Sequence, residues 1–374
     1  MGFQATGKSF SRLALTGLAA LVGIGIALPD APAFGQDAKQ AFVDEKSAGP
    51  DFGLQGEYVG WVLTGSQAYR PVGLQVIALG GGTFEAVEYA GGLPGAGAQG
   101  KARLRIPGKR RGNAARFLHG PLQIDVANDT AVFFLKSYDG VIAELKRVHR
   151  VSTTMGAKPP EGAVKLFSGR ATELLKAAKV TESGLLMEGT ETRDNYTSFQ
   201  LHLEFRLPFM PYARGQGRAN SGVYLQSRYE VQILDSFGLA GKSNECGGLY
   251  RYLEPATNMC LPPLSWQTYD IDLTAAAFDK TGKKTSNARL TVRHNGVLVH
   301  DDIKVEQKTG AGKPEGALPL PTKLQNHGNP VRFRNIWLVD RSPKPVVAAQ
   351  PQDISGSQQS GKKRALIRRR IGGR

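Results

Sequence analysis

The sequence predicts an all-β protein, with a sandwich or jelly roll in the C-terminal half and a smaller β-rich unit before it. Three observations carry this. Short runs alternate apolar and polar residues with the period of a strand, turns rich in glycine separate them, and helical periodicity is scarce. Glycine contributes 46 of 374 residues, which suits frequent turns better than long helices. No internal repeat is present, which argues against a propeller.

In chain order, residues 1–35 read as a targeting segment. Lys8 and Arg12 form a basic start, residues 13–28 are apolar, and small residues near Ala31, Ala33 and Gly35 offer cleavage sites. An uncleaved anchor helix is the alternative. The apolar run falls short of the roughly 20 residues that span a bilayer, which favours cleavage and export to the periplasm or medium. No other segment is apolar enough to span a membrane. Residues 36–51 read as a linker. Residues 52–152 form the β-rich unit, with strands at 56–61, 73–79 and 83–89 and a hairpin across Gly80-Gly81-Gly82. A further strand pair flanks Asn128-Asp129.

The breaker cluster at 158–162 marks a boundary. A short helix is expected at 172–178, followed by strands at 198–207, 223–226, 229–233, 269–273, 288–293, 297–300 and 331–339. From residue 342 a polar, proline-bearing tail is expected to be disordered, and residues 361–374 carry seven basic residues and no acid. The net charge of +16 is concentrated in this tail and in a loop expected at Lys109-Arg110-Arg111. No nucleic-acid-binding signature accompanies it, so contact with anionic envelope polymers is the expected use, if the tail is more than solvated chain. The two cysteines, Cys246 and Cys260, lie in one segment. Export makes a disulfide between them the expectation, worth about 3 kcal/mol, with two free thiols as the alternative.

The polar sides of the downstream strands have a common character. Glu204 lies beside His202 and Arg206, Asn220 leads into Tyr224 and Gln226, and Glu230 and Gln232 follow. Asp235 closes that run, and Gln325, His327 and Arg334 stand far downstream. If strands adjacent in sequence also pair in space, these side chains form one face suited to sugar hydroxyls.

The ordered motifs LEFRLP, NSGVYLQSRYEVQILDSFG, GGLYRYLEPATN, WQTYDIDL and LQNHGNPVRFRNIWL, led by KLFSG at 165–169, resemble the 3-keto-disaccharide hydrolase domain family over residues 160–341. The resemblance implies a concanavalin A-like jelly roll and cleavage of glycosides whose sugar is already oxidised at C3. It also implies a site. Glu230, Glu204 and His327 match positions suited to a base or a ligand. Asn220, Gln226, Gln232, Gln325 and Arg334 would hold hydroxyls or the ketone, and Tyr224 and Trp266 would stack on a ring. Glu230 with Asp235 would serve a divalent cation such as calcium. The reading of another class is a carbohydrate-binding module of the cell envelope without turnover. A third is an envelope-associated structural protein that acts through its basic tail.

Overall fold

In the computed structural model, residues 36–342 are described, except 66, 67 and 171. The targeting segment expected at 1–35 and the basic tail beyond Ser342 lie outside the described residues. Strands β1 (Gly56–Leu63), β2 (Tyr69–Gly80), β3 (Thr83–Ala90), β4 (Leu104–Arg111), β5 (Ala114–His119), β6 (Leu122–Ala127), β7 (Thr130–Leu135) and β8 (Gly140–Val148) close in sequence order into an antiparallel barrel. Alternation fills its interior with Tyr58, Leu74, Val76, Phe84, Phe117, Ile124, Phe133 and Leu145. Closure leaves no open edge, which the local sequence pattern does not reveal. The basic cluster Lys109-Arg110-Arg111 is the exposed end of β4 rather than a loop, and Arg110 pairs with Asp51 at 3.3 Å.

Two sheets form the sandwich. One runs β10 (Leu175–Lys176), β12 (Thr190–Thr192), β21 (Lys323–Leu324), β14 (Ser221–Leu225), β15 (Tyr229–Ile233). The other runs β11 (Leu186–Met187), β22 (Arg332–Asp340), β13 (Phe199–Arg206), β16 (Trp266–Thr274), β19 (Ala288–His294), β20 (Val297–Val305), with β9 (Val164–Phe167) also on β22. A separate hairpin joins β17 (Ala277–Phe278) to β18 (Lys284–Ser286). The helix expected at 172–178 is absent. Leu175 and Lys176 pair with β12 instead, and Ala177 adopts φ 54°, which a right-handed helix excludes.

The apolar sides of both sheets meet in one core. Phe199, Leu201, Leu203 and Phe205 of β13 join Val223 and Leu225 of β14 and Tyr229, Val231 and Ile233 of β15 there. The polar sides of the two sheets therefore point away from each other.

Barrel and sandwich exchange core residues. Ile77, Val87 and Tyr89 of the barrel pack into the sandwich core, while Phe209, beyond β13, packs into the barrel core. This is why β2 is buried on both faces from Val72 to Ala78. The connection after β8 is pinned at both ends. Arg150 forms a buried pair with Glu57 at 2.6 Å, and Ser152 and Thr154 bond Thr268 of β16 at 2.6 and 2.8 Å. No helix among the described residues is long and apolar enough to cross a membrane.

Candidate active site

The β14–β15 hairpin forms the floor of a cavity. Register pairs Tyr224 with Glu230 and Gly222 with Gln232, all on the side away from the core. Gln226 and Ser227 turn the chain with φ 49° and 52°. The free edge of β15 is covered by the following loop, where the Gln232 N–H donates to the Gly248 carbonyl and the Tyr250 N–H to the Glu230 carbonyl, both at 2.9 Å. A second loop is tied to the hairpin turn, its Lys313 N–H donating to the Ser227 carbonyl at 2.8 Å. Together these segments enclose about 480 Å³. Tyr224, Glu230 and Gln232 line it with Gln216, Asn220, Tyr250, Arg251, Gly310, Ala311, Gln325 and His327.

Glu230 is 2% exposed. Burial pushes its carboxyl up to about 7, against the Tyr224 hydrogen bond and the positive charges of Lys323 and Arg251, which pull the other way. Burial and the adjacent Glu230 push the Tyr224 phenol upward, so it remains a protonated donor. Space for the carboxylate depends on Gly222, where an added Cβ would stand 2.5 Å from Glu230 Oε1. Around this pair the polar contacts are specific. Gln232 Nε2 donates to Gln216 Oε1 at 3.0 Å, and Asn220 Nδ2 donates to the Gln216 carbonyl at 2.7 Å. Three buried oxygens of lining residues have no protein hydrogen-bond partner: Glu230 Oε2, Gln232 Oε1 and Gln325 Oε1. All three are acceptors, and a ligand rich in hydroxyl donors would satisfy them.

Of the residues expected from sequence, the cavity gathers Asn220, Tyr224, Glu230, Gln232, Gln325 and His327. Glu204, Trp266 and Arg334 lie elsewhere, because β13 and β14 are consecutive in sequence but belong to different sheets. Glu204 is on the outer side of the other sheet and fully engaged. It accepts from Arg334 Nε at 2.6 Å, Asn335 Nδ2 at 2.9 Å and the Gly156 N–H at 2.7 Å. Burial opposes ionisation there, but the neighbouring His202, 3.8 Å away, and hydrogen bonds from Asn335, Arg334 and Gly156 outweigh it and hold Glu204 at about 2. Burial likewise disfavours the His202 cation, yet the hydrogen bond to Asp270 (2.6 Å) and the Glu204 carboxylate 3.8 Å away prevail and raise it. Trp266 stacks beneath the Arg334 guanidinium at 3.9 Å, with Arg206 at 5.1 Å, so its ring is taken by guanidinium groups.

Gln226 serves the fold: its amide donates to the Tyr196 and Thr197 carbonyls and its oxygen accepts from Arg228. Asp235 is buried and pairs with Arg218 at 2.6 Å. A guanidinium thus stands where a calcium ion would need the carboxylate, and among the described residues no group of three His, Cys, Asp or Glu is placed to hold a metal. Glu230 and Asp235 therefore do not fit a cation site. The expected disulfide is not formed. Cys246 and Cys260 are buried free thiols, and Cys246 Sγ lies 3.2 Å from Tyr269 Oη, whose hydroxyl donates to the Gln232 carbonyl at 2.6 Å. Sequence reasoning missed Gln216, Tyr250, Arg251 and Gly310. Gln216 sits in a single 3-10 turn (Gly215–Gly217) and the others in irregular segments, none with any periodicity, although the motif containing Tyr250 and Arg251 was visible.

Residues 162–339 match the family model of the 3-keto-alpha-glucoside-1,2-lyase-like domain, which spans the sandwich and none of the barrel. The match supports a carbohydrate-active, hydrolase-like role for this segment. Two solved structures from Parabacteroides distasonis ATCC 8503, each described as a "putative glycosyl hydrolase", are similar to part of the chain. One is 28% identical, with 48% of this chain and 84% of its own covered and a TM-score of 0.43. The other is 18% identical, with 48% and 94% covered and a TM-score of 0.35. No curated protein matches the chain.

Proposed function

We propose that the sandwich cleaves glycosides whose sugar carries a ketone at C3, with Glu230 as the base. The observation that carries this reading is a buried carboxyl on a cavity floor, raised to about 7, with one oxygen free of protein partners. A base poised near neutral pH both exists as carboxylate and holds the proton it receives. The ketone acidifies the C2–H bond. Glu230 takes that proton, the C2–H electron pair becomes the enolate, and the developing charge on the C3 oxygen meets the protonated Tyr224 hydroxyl. Collapse of the enolate forms the C1–C2 double bond and expels the C1 oxygen substituent, which gains a proton as it leaves. Water then adds across that double bond, restoring hydrogen at C2 and placing a hydroxyl at C1. The partner-free oxygens of Gln232 and Gln325 would accept from sugar hydroxyls, and His327 on the exposed rim would serve the leaving group. This route needs one base rather than the two spaced carboxylates of ordinary glycosidases. Export belongs to the proposal on the pattern of residues 1–35 alone.

The test is release of aglycone from an aryl 3-keto-glucoside. Glu230→Gln is expected to slow release by about 10²–10⁴-fold while the thermal melt is retained. Binding of the glycoside without turnover by the intact protein would overturn the enzyme reading in favour of a carbohydrate-binding module.

A further inference from the structure

We propose that the glycoside accepted by this cavity is anionic, bearing a carboxylate on the group attached to the sugar. The inference rests on the glycoside reading above and adds the charge of the substrate. One cation lines the cavity and a second stands beside it on β21, both close enough to act on Glu230 yet neither in an ion pair. Arg251 lines it, is exposed, and holds its guanidinium over the Tyr250 ring at 5.4 Å. Lys323, also exposed, holds its ammonium 5.9 Å from the centre of the Tyr224 ring. Among the described residues neither has a carboxylate within ion-pair distance, whereas Arg150, Arg218, Arg332 and Arg334 each have one.

Arg251 is held in place by its backbone. Its φ is 56°, a left-handed conformation unfavourable for a side-chain-bearing residue, and its N–H donates to the Ser243 carbonyl at 3.1 Å. The preceding N–H, of Tyr250, is bonded to the edge of β15. The guanidinium is thereby carried by the same short segment that supplies a cavity wall. Glu230 is the one acid among the lining residues, and it lies at the floor rather than the rim. A sugar ring seated over Glu230 would therefore project its substituent toward two cations that are in no ion pair, and guanidinium groups favour carboxylate geometry.

The test compares two aryl 3-keto-glucosides that differ only by a carboxylate on the aryl ring. At low ionic strength the acidic one is expected to show about tenfold higher kcat/KM, falling with added salt, since rim charges are screened. The ratio is expected to approach one in the double variant Arg251→Gln, Lys323→Gln. Equal kcat/KM in the intact protein, or a ratio kept by the double variant, would overturn the proposal. If neither compound is turned over, the proposed reaction fails, and calorimetry with the matched un-oxidised glucosides still decides the charge preference. Tighter binding of the acidic glucoside supports it; equal binding, or none of the acidic one, overturns it.

Discussion

Glu204 and Glu230 hold equivalent places in their strands, each a polar position between apolar neighbours, and both are almost wholly buried, at 1% and 2% exposure. Their surroundings are opposite. The connection from the barrel crosses the face bearing Glu204 and supplies a backbone N–H, while Arg334 and Asn335 of β22 supply further donors. Glu230 is covered by loops that exclude water but leave one of its oxygens unpartnered. Similar solvent exposure thus accompanies one carboxyl at about 2 and another at about 7, because Glu230 is set deeper in protein and receives fewer donors. Burial alone does not mark a catalytic acid or base; burial without compensating donors does.

The sharpest way to break this contrast is Glu204→Gln. If Glu204 is structural, losing the charge weakens its hydrogen bonds to Asn335, Gly156 and the partly exposed Arg334, and stability should fall by about 1–2 kcal/mol in denaturant melts. Turnover of the 3-keto-glucoside should persist at temperatures where the variant is folded. Loss of turnover in the folded variant would bring this face back into the site.

The two faces should also respond to pH with opposite sign. Glu230, raised from 4.5 to about 7, stabilises the fold in its protonated form, fully below pH 4.5. That contribution, about 3 kcal/mol at most, is lost as pH climbs from 4.5 to about 7. Glu204, lowered from 4.5 to about 2, contributes fully above pH 4.5 and loses its share as pH falls toward 2. Denaturant titrations across both windows should show Glu230→Gln flattening only the upper one and Glu204→Gln only the lower. Activity should rise with an apparent pKa near 7 as the base ionises.

The mildest probe is Gly222→Ala. The new methyl group would meet Glu230 Oε1 at 2.5 Å and displace the carboxylate without altering its chemistry. Turnover should drop by about tenfold and stability by about 1–2 kcal/mol, read by steady-state kinetics and a thermal melt. Unchanged kinetics would show that the position of this carboxylate is not critical.

Much of the sandwich was legible in advance. The strands at 198–207 and 229–233 were readable because five or more alternating residues carry a period of two, and the one at 331–339 from four alternating residues followed by an apolar run. Strands β10, β11, β12 and β21 span only two or three residues each and carry no period. In the barrel, β4, β5 and β8 escaped notice. Pro107 and Gly108 interrupt β4, and the exposed Leu118 and Val141 disturb the alternation of β5 and β8. The site was half legible. Residues on regular strands, such as Tyr224, Glu230 and Gln232, were found, whereas Gln216 reaches the cavity from a short 3-10 turn and Tyr250 and Gly310 through loop conformation.

By itself the sequence determined which side of each strand is polar, because Cβ direction alternates with local backbone geometry alone. Glu230 was thereby assigned to an outer face beside Tyr224 and Gln232 before any tertiary contact was considered. Tertiary structure alone decided that Glu204 and Glu230 lie on opposite outer faces, since sheet membership depends on pairing between distant segments. It also decided their acidity. Desolvation and donor supply come from chain segments such as 156–157, 247–251, 309–313 and 334–335, whose arrival at a given strand no local pattern encodes.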